Sequence, residues 1–454
     1  MAQNYNTYYN DPTVHIEKVF GTIGTRNPPV MVPYAERRLQ FQSPDGDVFS
    51  ISNDMLEKHL LCIGGPGSGK TNVLDLILEQ LRYKPNSNDF FVIFDTKGDY
   101  IKEFYREGDY VIANGDKYRK YSGFVHWNIF EEIKAADKDW MIAAREISKS
   151  LFADRANKTQ PFFSNAAEDI FSGLLIHFYR SYQGDPTKLN NRYLINTIRK
   201  KDTKWYLDEV LNEEVNPDLV GMRSYIGDGK SNQALGVLGE LKSMIYGCFV
   251  DTFEQAGSFS IRNAVRSRGA RAVFIEYDMS VGKSMTPLCR LLVDLALKET
   301  MGRSAQSTGR VWYILDELKL LPNCLHLEDG LNLGRSLGCS VIAGLQSVNQ
   351  MYEIYEKFGG QVILGGFSNV LAFSTTDFES RDYITKLFGV NVTNYWLESP
   401  MTVQTSPRER DGHVVEEWDL QKLSTGEAFV SLLGHPPFKF HFPRYTHDSV
   451  ETKR

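Results

Sequence analysis

The chain has 454 residues, which is enough for about two or three domains with buried cores. Its hydrophobic fraction of 42% and charged fraction of 24% are ordinary for a folded protein and require no disordered segment. The formal net charge of −6 argues against a surface that coats nucleic acid along its whole length, although a local basic channel is compatible with it.

The first 30 residues are polar and rich in Tyr and Asn, with no signal-peptide core, and residues 1–58 are interpreted as a segment leading into the main domain. No stretch approaches the roughly 20 apolar residues that span a bilayer, so the sequence predicts no transmembrane segment and a cytoplasmic protein. The cysteines lie mostly in apolar runs without CxxC spacing, which favours reduced core thiols over disulfides or a zinc site: Cys62, Cys248, Cys289, Cys324 and Cys339.

A phosphate-binding loop is the first chemical motif along the chain. The apolar run HLLCIG at 59–64 predicts a strand, TNVLDLILEQL at 71–81 predicts an amphipathic helix, and GGPGSGKT at 64–71 joins them. The glycines let backbone N–H groups point at phosphates, and the helix adds its positive end. We expect ATP and Mg²⁺ as cofactors, because Lys70 suits the β and γ phosphates and the Thr71 hydroxyl suits the metal. The alternative is a glycine-rich turn in the core. The predicted cofactor-binding residues here are Gly64, Gly65, Pro66, Gly67, Ser68, Gly69, Lys70 and Thr71.

The next predicted strand, FFVIFD, ends at Asp95, and the one after it, RAVFIEYD, starts only at Arg271. That interval is far too long for a strand-to-strand crossover, and it carries several helical patterns. We interpret residues 135–258 as an all-α domain inserted into an α/β domain formed by residues 59–134 and 259–445.

The run VWYILDE predicts a buried strand followed by two acids. A carboxylate at a strand end is needed to hold magnesium, which we assign to Asp316, and Glu317 is the candidate catalytic base. A solvated strand end is the alternative.

Two further candidates follow. Gln346 closes the strand SVIAGLQ and is predicted to orient the attacking water, although a strand-end glutamine is often only a turn residue. Arg335, in GLNLGRSLG, lies on a predicted helix between these strands, where such an arginine either acts on a neighbouring subunit's γ-phosphate or is a surface residue.

The runs NVLAFS and EAFVSLL complete the series of buried strands, and residues 446–454 are expected to be a solvated tail. Strands that alternate with helices predict an α/β fold with a doubly wound, mostly parallel sheet.

Four ordered segments together resemble the type IV secretion coupling proteins, the conjugative DNA-transfer ATPases of the FtsK and HerA superfamily. They are HLLCIGGPGSGKT, FFVIFDTKGDY, VWYILDELKLLPN and GLNLGRSLGCSVIAGLQS. The second is similar to the family's strand ending in Asp-Pro-Lys-Gly-Glu, which implies that Asp95 belongs to the nucleotide-binding residues. Thr96 and Asp99 replace the family's Pro and Glu, and the family's Asn-Pro turn appears as WNIF at 127–130.

The resemblance implies a RecA-like P-loop NTPase with an all-α domain, assembled as a homo-oligomer, expected to be a hexameric ring, that moves single-stranded DNA or a relaxase-DNA complex. It implies that Arg335 acts in trans, and that a secretion-channel or membrane-anchor protein is a partner at the inner face of the membrane. Members usually begin with two membrane-spanning helices. Their absence favours one alternative, a soluble DNA motor for chromosome handling or defence. A nucleotide-dependent platform that docks protein cargo is a separate alternative.

Ring motors grip phosphates with Lys and Arg beside aromatic side chains, and any DNA binding here should tolerate all sequences because no base-reading motif is visible. Three basic clusters are candidates, although each is also typical of a solvated face. They are Arg262, Arg266, Arg268 and Arg271; Arg199, Lys200 and Lys201; and Arg119 with Lys120.

Overall fold

The computed structural model describes residues 14–18, 32–83, 85–155, 161–277, 282–304, 307–397 and 408–446. Within these ranges the β-strands are β1 (Val14–Lys18), β2 (Arg37–Gln42), β3 (Val48–Ser52), β4 (Leu60–Ile63), β5 (Phe90–Asp95), β6 (Tyr110–Ala113), β7 (Arg271–Glu276), β8 (Val311–Leu315), β9 (Cys339–Leu345), β10 (Asn369–Phe373), β11 (Val390–Leu397), β12 (Arg408–His413), β13 (Glu427–Ser431) and β14 (Phe438–His441).

The α-helices are α1 (Asn53–Leu56), α2 (Lys70–Tyr83), α3 (Tyr100–Phe104), α4 (Ile129–Ala135), α5 (Trp140–Phe152), α6 (Pro161–Ser181), α7 (Asn191–Lys200), α8 (Thr203–Trp205), α9 (Arg223–Ile226), α10 (Asn232–Cys248), α11 (Ile261–Ser267), α12 (Thr286–Met301), α13 (Leu327–Asn332), α14 (Val348–Gly365), α15 (Phe378–Phe388) and α16 (Glu417–Gln421). Glu356, at φ 59° and ψ 166°, kinks α14. Short 3₁₀ turns follow β8 and α13, at Leu318–Leu320 and Gly334–Leu337.

The described residues divide into two compact units, the first drawn from the ranges 1–81 and 342–454 and the second from the range 82–341. The boundaries fall inside α2 and β9, so both elements begin in one unit and end in the other.

The first unit contains strands in the order β14-β13-β10-β4-β9. The pairs β10/β4 and β4/β9 are parallel, whereas β13 and β14 are added antiparallel. The unit also holds a β2/β3 hairpin and an antiparallel ribbon in the order β1-β11-β12. Every residue of β4 and β10 is buried, as expected for central strands covered on both faces.

The second unit contains the parallel order β8-β5-β7-β6. All residues of β5 and β8 are buried, and they are the runs FFVIFD and VWYIL that the sequence predicts as strands. Parallel strands separated by helices confirm the predicted α/β fold with a mostly parallel sheet.

Between β6 and β7 the chain forms the helices α4 to α11. The two ends of this helical stretch meet: the N–H of Asn128 donates to the carbonyl of Phe259 at 3.0 Å, and the N–H of Phe259 donates to the carbonyl of His126 at 3.1 Å. Such adjacent chain ends are what an inserted domain requires.

One predicted helix is interrupted. The pattern KWYLDEVLNEE predicts a helix over 204–214, but α8 gives way to a π-helical turn at Tyr206–Val210. The buried Asn216 side chain donates to the carbonyls of Val210, at 2.9 Å, and Glu209, at 3.4 Å. The Asn216 amide thus satisfies carbonyls that the N–H groups of a further helical turn would otherwise satisfy, and the helix ends here.

The five cysteines are free and buried. Burial raises the pKa of Cys248, Cys289 and Cys339 to about 12, so these thiols stay protonated. They are core residues, as their apolar sequence context predicts.

Candidate functional site

The loop between β4 and α2 has a backbone that only glycine adopts easily. Gly67 and Gly69 have φ of 70° and 110°, values that any other residue would reach only under strain. Gly64 is required for space instead, since a Cβ there would lie 2.6 Å from the Cβ of Phe373. The loop leads directly into the first turn of α2, and the positive end of a helix is a favourable place for an anion.

Lys70 is folded across the loop. Its Nζ donates to the carbonyls of Gly64, at 2.6 Å, and Gly65, at 2.9 Å, and the residue is only 8% exposed. The Ser68 hydroxyl donates to the same Gly65 carbonyl at 2.8 Å. An ammonium group held against the loop backbone supplies positive charge where a phosphate group would bind.

The ends of two neighbouring strands hold the start of this loop. The N–H of Gly64 donates to the carbonyl of Leu345, the last residue of β9, at 3.1 Å, and the N–H of Gly65 donates to the carbonyl of Ser374 at 2.8 Å. Gln346 follows Leu345 directly, so the structure brings this predicted residue beside the phosphate-binding loop.

Residues 424–427 provide a second support for the phosphate-binding loop, and the sequence does not single them out. The N–H of Gly426 donates to the carbonyl of Ser68 at 3.0 Å, and the Thr425 hydroxyl lies 3.4 Å from the carbonyl of Gly67. A Cβ on Gly69 would approach the Gly426 Cα to 3.0 Å. The local signal is limited to the Thr-Gly pair in LQKLSTGEAF, because the contact joins residues that are very far apart along the chain.

In the second unit, the fully buried β8 delivers two acids. Asp316, 7% exposed, follows Leu315 directly, and Glu317 begins the 3₁₀ turn that ends the strand, its carbonyl accepting from the N–H of Leu320 at 3.0 Å. The structure thus gives Asp316 and Glu317 the strand-end position that the sequence predicts for them.

The segment after Glu317 is anchored by the buried Arg290 of α12. Its guanidinium donates to the carbonyls of Pro322, at 3.0 Å, and Ser150, at 2.5 Å, and pairs with Asp154 at 2.5 Å. The Asn323 side chain, on a residue with φ 54°, also donates to Asp154 at 3.0 Å. The chain beyond the acid pair is therefore tied to the end of α5.

Asp294, also on α12, is a second buried anchor for this segment. It accepts hydrogen bonds from the Ser150 hydroxyl at 2.6 Å, the Cys324 thiol at 2.9 Å and the His326 N–H at 3.1 Å. Burial raises the pKa of its carboxyl, and these hydrogen bonds oppose that shift. Two buried charged residues of one helix thus fix the chain between Pro322 and His326.

Asp95, at the end of β5, holds the turn that follows it. Its carboxylate accepts from the N–H groups of Lys97 at 3.1 Å, Gly98 at 2.8 Å and Ile101 at 3.1 Å, and the residue is 1% exposed. These hydrogen bonds join Asp95 to the backbone of the turn, and the nucleotide-binding role assigned to it from the sequence stays a prediction.

Glu276 is a buried acid that no sequence motif singles out. It ends β7 in register with Asp95 of β5. Burial first, and then the neighbouring Asp95, raise the pKa of Glu276 well above its ordinary value. At a given pH the Glu276 carboxyl is therefore more often protonated than that of an exposed glutamate.

Arg335 lies in the 3₁₀ turn Gly334–Leu337 rather than on a regular α-helix, and its side chain is exposed. Its carbonyl accepts from the N–H of Gly338 at 3.1 Å and from Nη2 of Arg310 at 3.3 Å. Leu333, two residues earlier, is 65% exposed.

The basic clusters are largely engaged within the chain. Arg262 is only 4% exposed and faces Glu132 and Glu299, and Arg266 pairs with Glu299 at 2.6 Å. The Arg271 guanidinium donates to the Tyr110 hydroxyl at 2.5 Å. These contacts join Arg262, Arg266 and Arg271 to neighbouring side chains, although the Arg266 side chain is 47% exposed. In the other clusters, Arg199 pairs with Glu254 and Arg119 pairs with Asp116.

Two features are absent from the described ranges. No helix there is long and apolar enough to cross a membrane. No group of three or more His, Cys, Asp or Glu side chains in those ranges is arranged to hold a metal ion.

A buried parallel strand that runs into GGPGSGKT and then into a helix defines a P-loop nucleotide-binding protein with a RecA-like core and a helical domain. The profile of the type IV secretion-system coupling protein DNA-binding domain matches residues 46–443. The chain belongs to this family.

Curated relatives agree with this assignment. The chain is 22% identical to the coupling protein TraD of Escherichia coli over 335 residues, which is 70% of this chain and 42% of that protein. It is 20% identical to the type IV secretion system-coupling protein VirD4 of Bartonella henselae over 337 residues, which is 69% of this chain and 50% of that protein. The chain therefore spans half or less of the length of these two relatives.

Solved structures show the same fold. The bacterial conjugative coupling protein TrwBdeltaN70 superposes with a TM-score of 0.71 at 19% identity, covering 91% of both chains. The plasmid coupling protein TrwB in complex with ADP and Mg²⁺ superposes with a TM-score of 0.66 at 20% identity, covering 87% of both chains.

Proposed function

We propose that this chain is the ATP-hydrolysing motor of a conjugative coupling protein, which moves single-stranded DNA or a relaxase-DNA complex to a secretion channel. The observation that carries the proposal is the phosphate-binding loop. Lys70 lies across its carbonyls, two glycines have positive φ, and it is held by the ends of β9 and β10. Family membership and the TrwB structure with ADP and Mg²⁺ support an adenine nucleotide with Mg²⁺ as the ligand of this loop.

The residues present fit Mg-ATP. The loop offers backbone N–H groups and one ammonium group for the phosphates, and the Thr71 hydroxyl and the Asp316 carboxylate are the oxygen ligands that magnesium prefers. When bound, the metal neutralises charge on the phosphate oxygens. Lys70 stabilises the charge that develops on the transferred phosphoryl group.

The water that attacks the γ-phosphate needs a base and an orienting group. Glu317 takes its proton, and Gln346 donates and accepts hydrogen bonds that hold it in line. Asp95 supports the nucleotide site indirectly, because its carboxylate fixes the backbone of the turn after β5.

A second copy of the chain completes the site through Arg335, which neutralises γ-phosphate charge in trans. The exposed arginine side chain and the exposed Leu333 beside it support a subunit contact at this turn. A closed ring, expected to be a hexamer, gives every loop such a neighbour.

The helical domain, residues 135–258, is proposed to engage the transported substrate. The paired chain ends at Asn128 and Phe259 support its insertion into the α/β core at residues 59–134 and 259–445. A secretion-channel or membrane-anchor protein is the proposed partner that brings the cytoplasmic motor to the inner face of the membrane.

The test is ATP hydrolysis measured with and without single-stranded DNA of mixed sequence at low salt. The proposal predicts stimulation by DNA that falls as salt rises, since phosphate contacts release counterions. Lys70→Ala, which removes the ammonium group, controls for contaminating ATPase. DNA that neither stimulates turnover nor binds would contradict the motor function.

A further inference from the structure

Arg310 connects the start of β8 to the turn that carries Arg335. Its backbone is fixed on both sides, because its N–H donates to Oδ1 of Asp89 at 2.8 Å and its carbonyl accepts from the N–H of Phe90 at 2.8 Å. From this fixed base the guanidinium reaches residues at the start of β9.

The guanidinium of Arg310 makes three contacts there. Nε donates to the Ser340 hydroxyl at 2.8 Å, and Nη2 donates to the carbonyls of Cys339, at 2.9 Å, and Arg335, at 3.3 Å. One rigid planar group therefore joins the turn to the strand that follows it. A lysine carries its three N–H donors on one nitrogen, so it cannot place donors at both the Nε and the Nη2 positions of Arg310.

The turn itself leaves little freedom. Gly338 ends it at φ 85° and ψ 21°, its N–H donates to the Arg335 carbonyl at 3.1 Å, and its own carbonyl accepts from the N–H of Val311 at 2.8 Å. A Cβ on Gly334 would lie 2.7 Å from the Cβ of Cys339. The Arg335 carbonyl thus accepts from Gly338 at the end of the turn and from Arg310 outside it.

We propose that Arg310 is the positioning residue for Arg335. This inference rests on the proposed action of Arg335 in trans. Arg310 fixes the peptide from which the Arg335 side chain projects, so that the guanidinium reaches the phosphate of the next subunit with little reorganisation. A displacement of about 1 Å at a catalytic group can reduce turnover by about a hundredfold, so the loss of this contact should appear in kcat.

This role predicts where the defect of an Arg310 variant resides. The variant keeps its own phosphate-binding loop and fails to activate its neighbour. Arg310→Lys, which keeps the charge and loses the fork, should lower kcat of full-length assembled protein about ten- to a hundredfold with KM for ATP nearly unchanged. Arg180→Lys is the matched control, since the Arg180 guanidinium also donates through two nitrogens, to Asp218 in the helical stretch, and does not contact the turn.

Mixed assemblies separate positioning from a general structural role. Lys70→Ala subunits lack their own activity but supply an intact Arg310 and Arg335. A one-to-one mixture of Lys70→Ala with Arg310→Lys should therefore regain turnover. The level should equal that of a one-to-one mixture of Lys70→Ala with Arg335→Ala. Arg310→Lys mixed with Arg335→Ala should stay at the low turnover of the separate variants, because neither subunit supplies a correctly placed Arg335 to its neighbour.

The outcomes distinguish positioning by Arg310 from the trans action of Arg335 itself. If Lys70→Ala subunits restore turnover to Arg335→Ala but not to Arg310→Lys, the positioning role of Arg310 is overturned and the trans action of Arg335 is retained. If Lys70→Ala subunits restore turnover to neither variant, the trans action of Arg335 is overturned, together with the inference that rests on it. An unchanged kcat in Arg310→Lys alone also overturns the inference. If Arg310→Lys does not fold, Ser340→Ala removes only the Nε acceptor and should give a kcat loss of a few fold that Lys70→Ala subunits also rescue.

Discussion

The N–H of Gly426 lies 3.0 Å from the carbonyl oxygen of Ser68, so a turn late in the chain is hydrogen-bonded to the phosphate-binding loop. Gly426 has φ 86°, and the N–H of Phe442 donates to its carbonyl at 2.9 Å. A residue far outside the GGPGSGKT motif therefore helps to fix the conformation of the phosphate-binding loop.

Gly426→Ala should weaken nucleotide binding. The new Cβ would lie 3.3 Å from the Phe442 carbonyl in a backbone conformation that alanine adopts at a cost of about 1 kcal/mol or more. The matched control is Gly434→Ala, where φ is 84° and nothing lies within 4 Å of the added Cβ. Calorimetric titration with an ATP analogue should show weaker binding for Gly426→Ala alone, and equal weakening in both variants would exclude a specific support.

Glu317→Gln should bind ATP and fail to hydrolyse it. The amide keeps the size of the side chain and cannot accept the proton of the attacking water, which lowers kcat about a hundredfold or more. Single-turnover hydrolysis beside an equilibrium binding measurement checks both halves. Turnover within a few fold of wild type would assign the base to another residue.

Arg290→Met should destabilise the second unit strongly. The substitution leaves the carbonyls of Ser150 and Pro322 without this donor, together with the Asp154 carboxylate, whose side chain is 33% exposed. Each lost hydrogen bond to a charged group costs about 1.5–3 kcal/mol. Lys134→Met, which removes an ion pair whose lysine is 68% exposed, should cost less than about 1 kcal/mol. Urea unfolding measures the free energy of unfolding of both variants. Equal losses of stability would show that the contacts of Arg290 contribute no more than an exposed ion pair.

Glu276 should make stability depend on pH. Its pKa is raised in the folded protein, so its contribution is complete below the ordinary value of 4.5 and is lost as pH rises through the folded pKa. Glu276→Gln, which cannot ionise, should therefore be more stable than wild type at neutral pH, with a difference that shrinks towards acid pH. Unfolding free energies between about pH 5 and about pH 8 test this, and a difference independent of pH would contradict it.

The strands and the loop could be predicted from sequence because their signals are local. FFVIFD and VWYIL are continuous apolar runs, and each is a strand buried along its whole length. The same holds for GGPGSGKT, where the glycine positions and the helix that follows already specify the chemistry.

The features that were missed depend on contacts between distant residues. Thr425 and Gly67 are separated by 358 positions, and no local pattern connects them. Arg262 belongs to a basic run that is typical of an exposed face, but Glu132, fully buried on α4, draws it inward. Arg335 was expected on a helix, and it lies in a 3₁₀ turn that the left-handed Gly338 ends.

The most direct test of the trans mechanism is ATP turnover by mixed assemblies of Lys70→Ala and Arg335→Ala. Each variant alone should be nearly inactive, one because its loop cannot stabilise phosphate and the other because it cannot complete its neighbour. Mixed one to one with single-stranded DNA present, they should regain a substantial fraction of wild-type kcat, since a Lys70→Ala subunit donates its arginine to an intact loop. Turnover no higher than the mean of the two variants would show that each site works without its neighbour and would contradict the shared site.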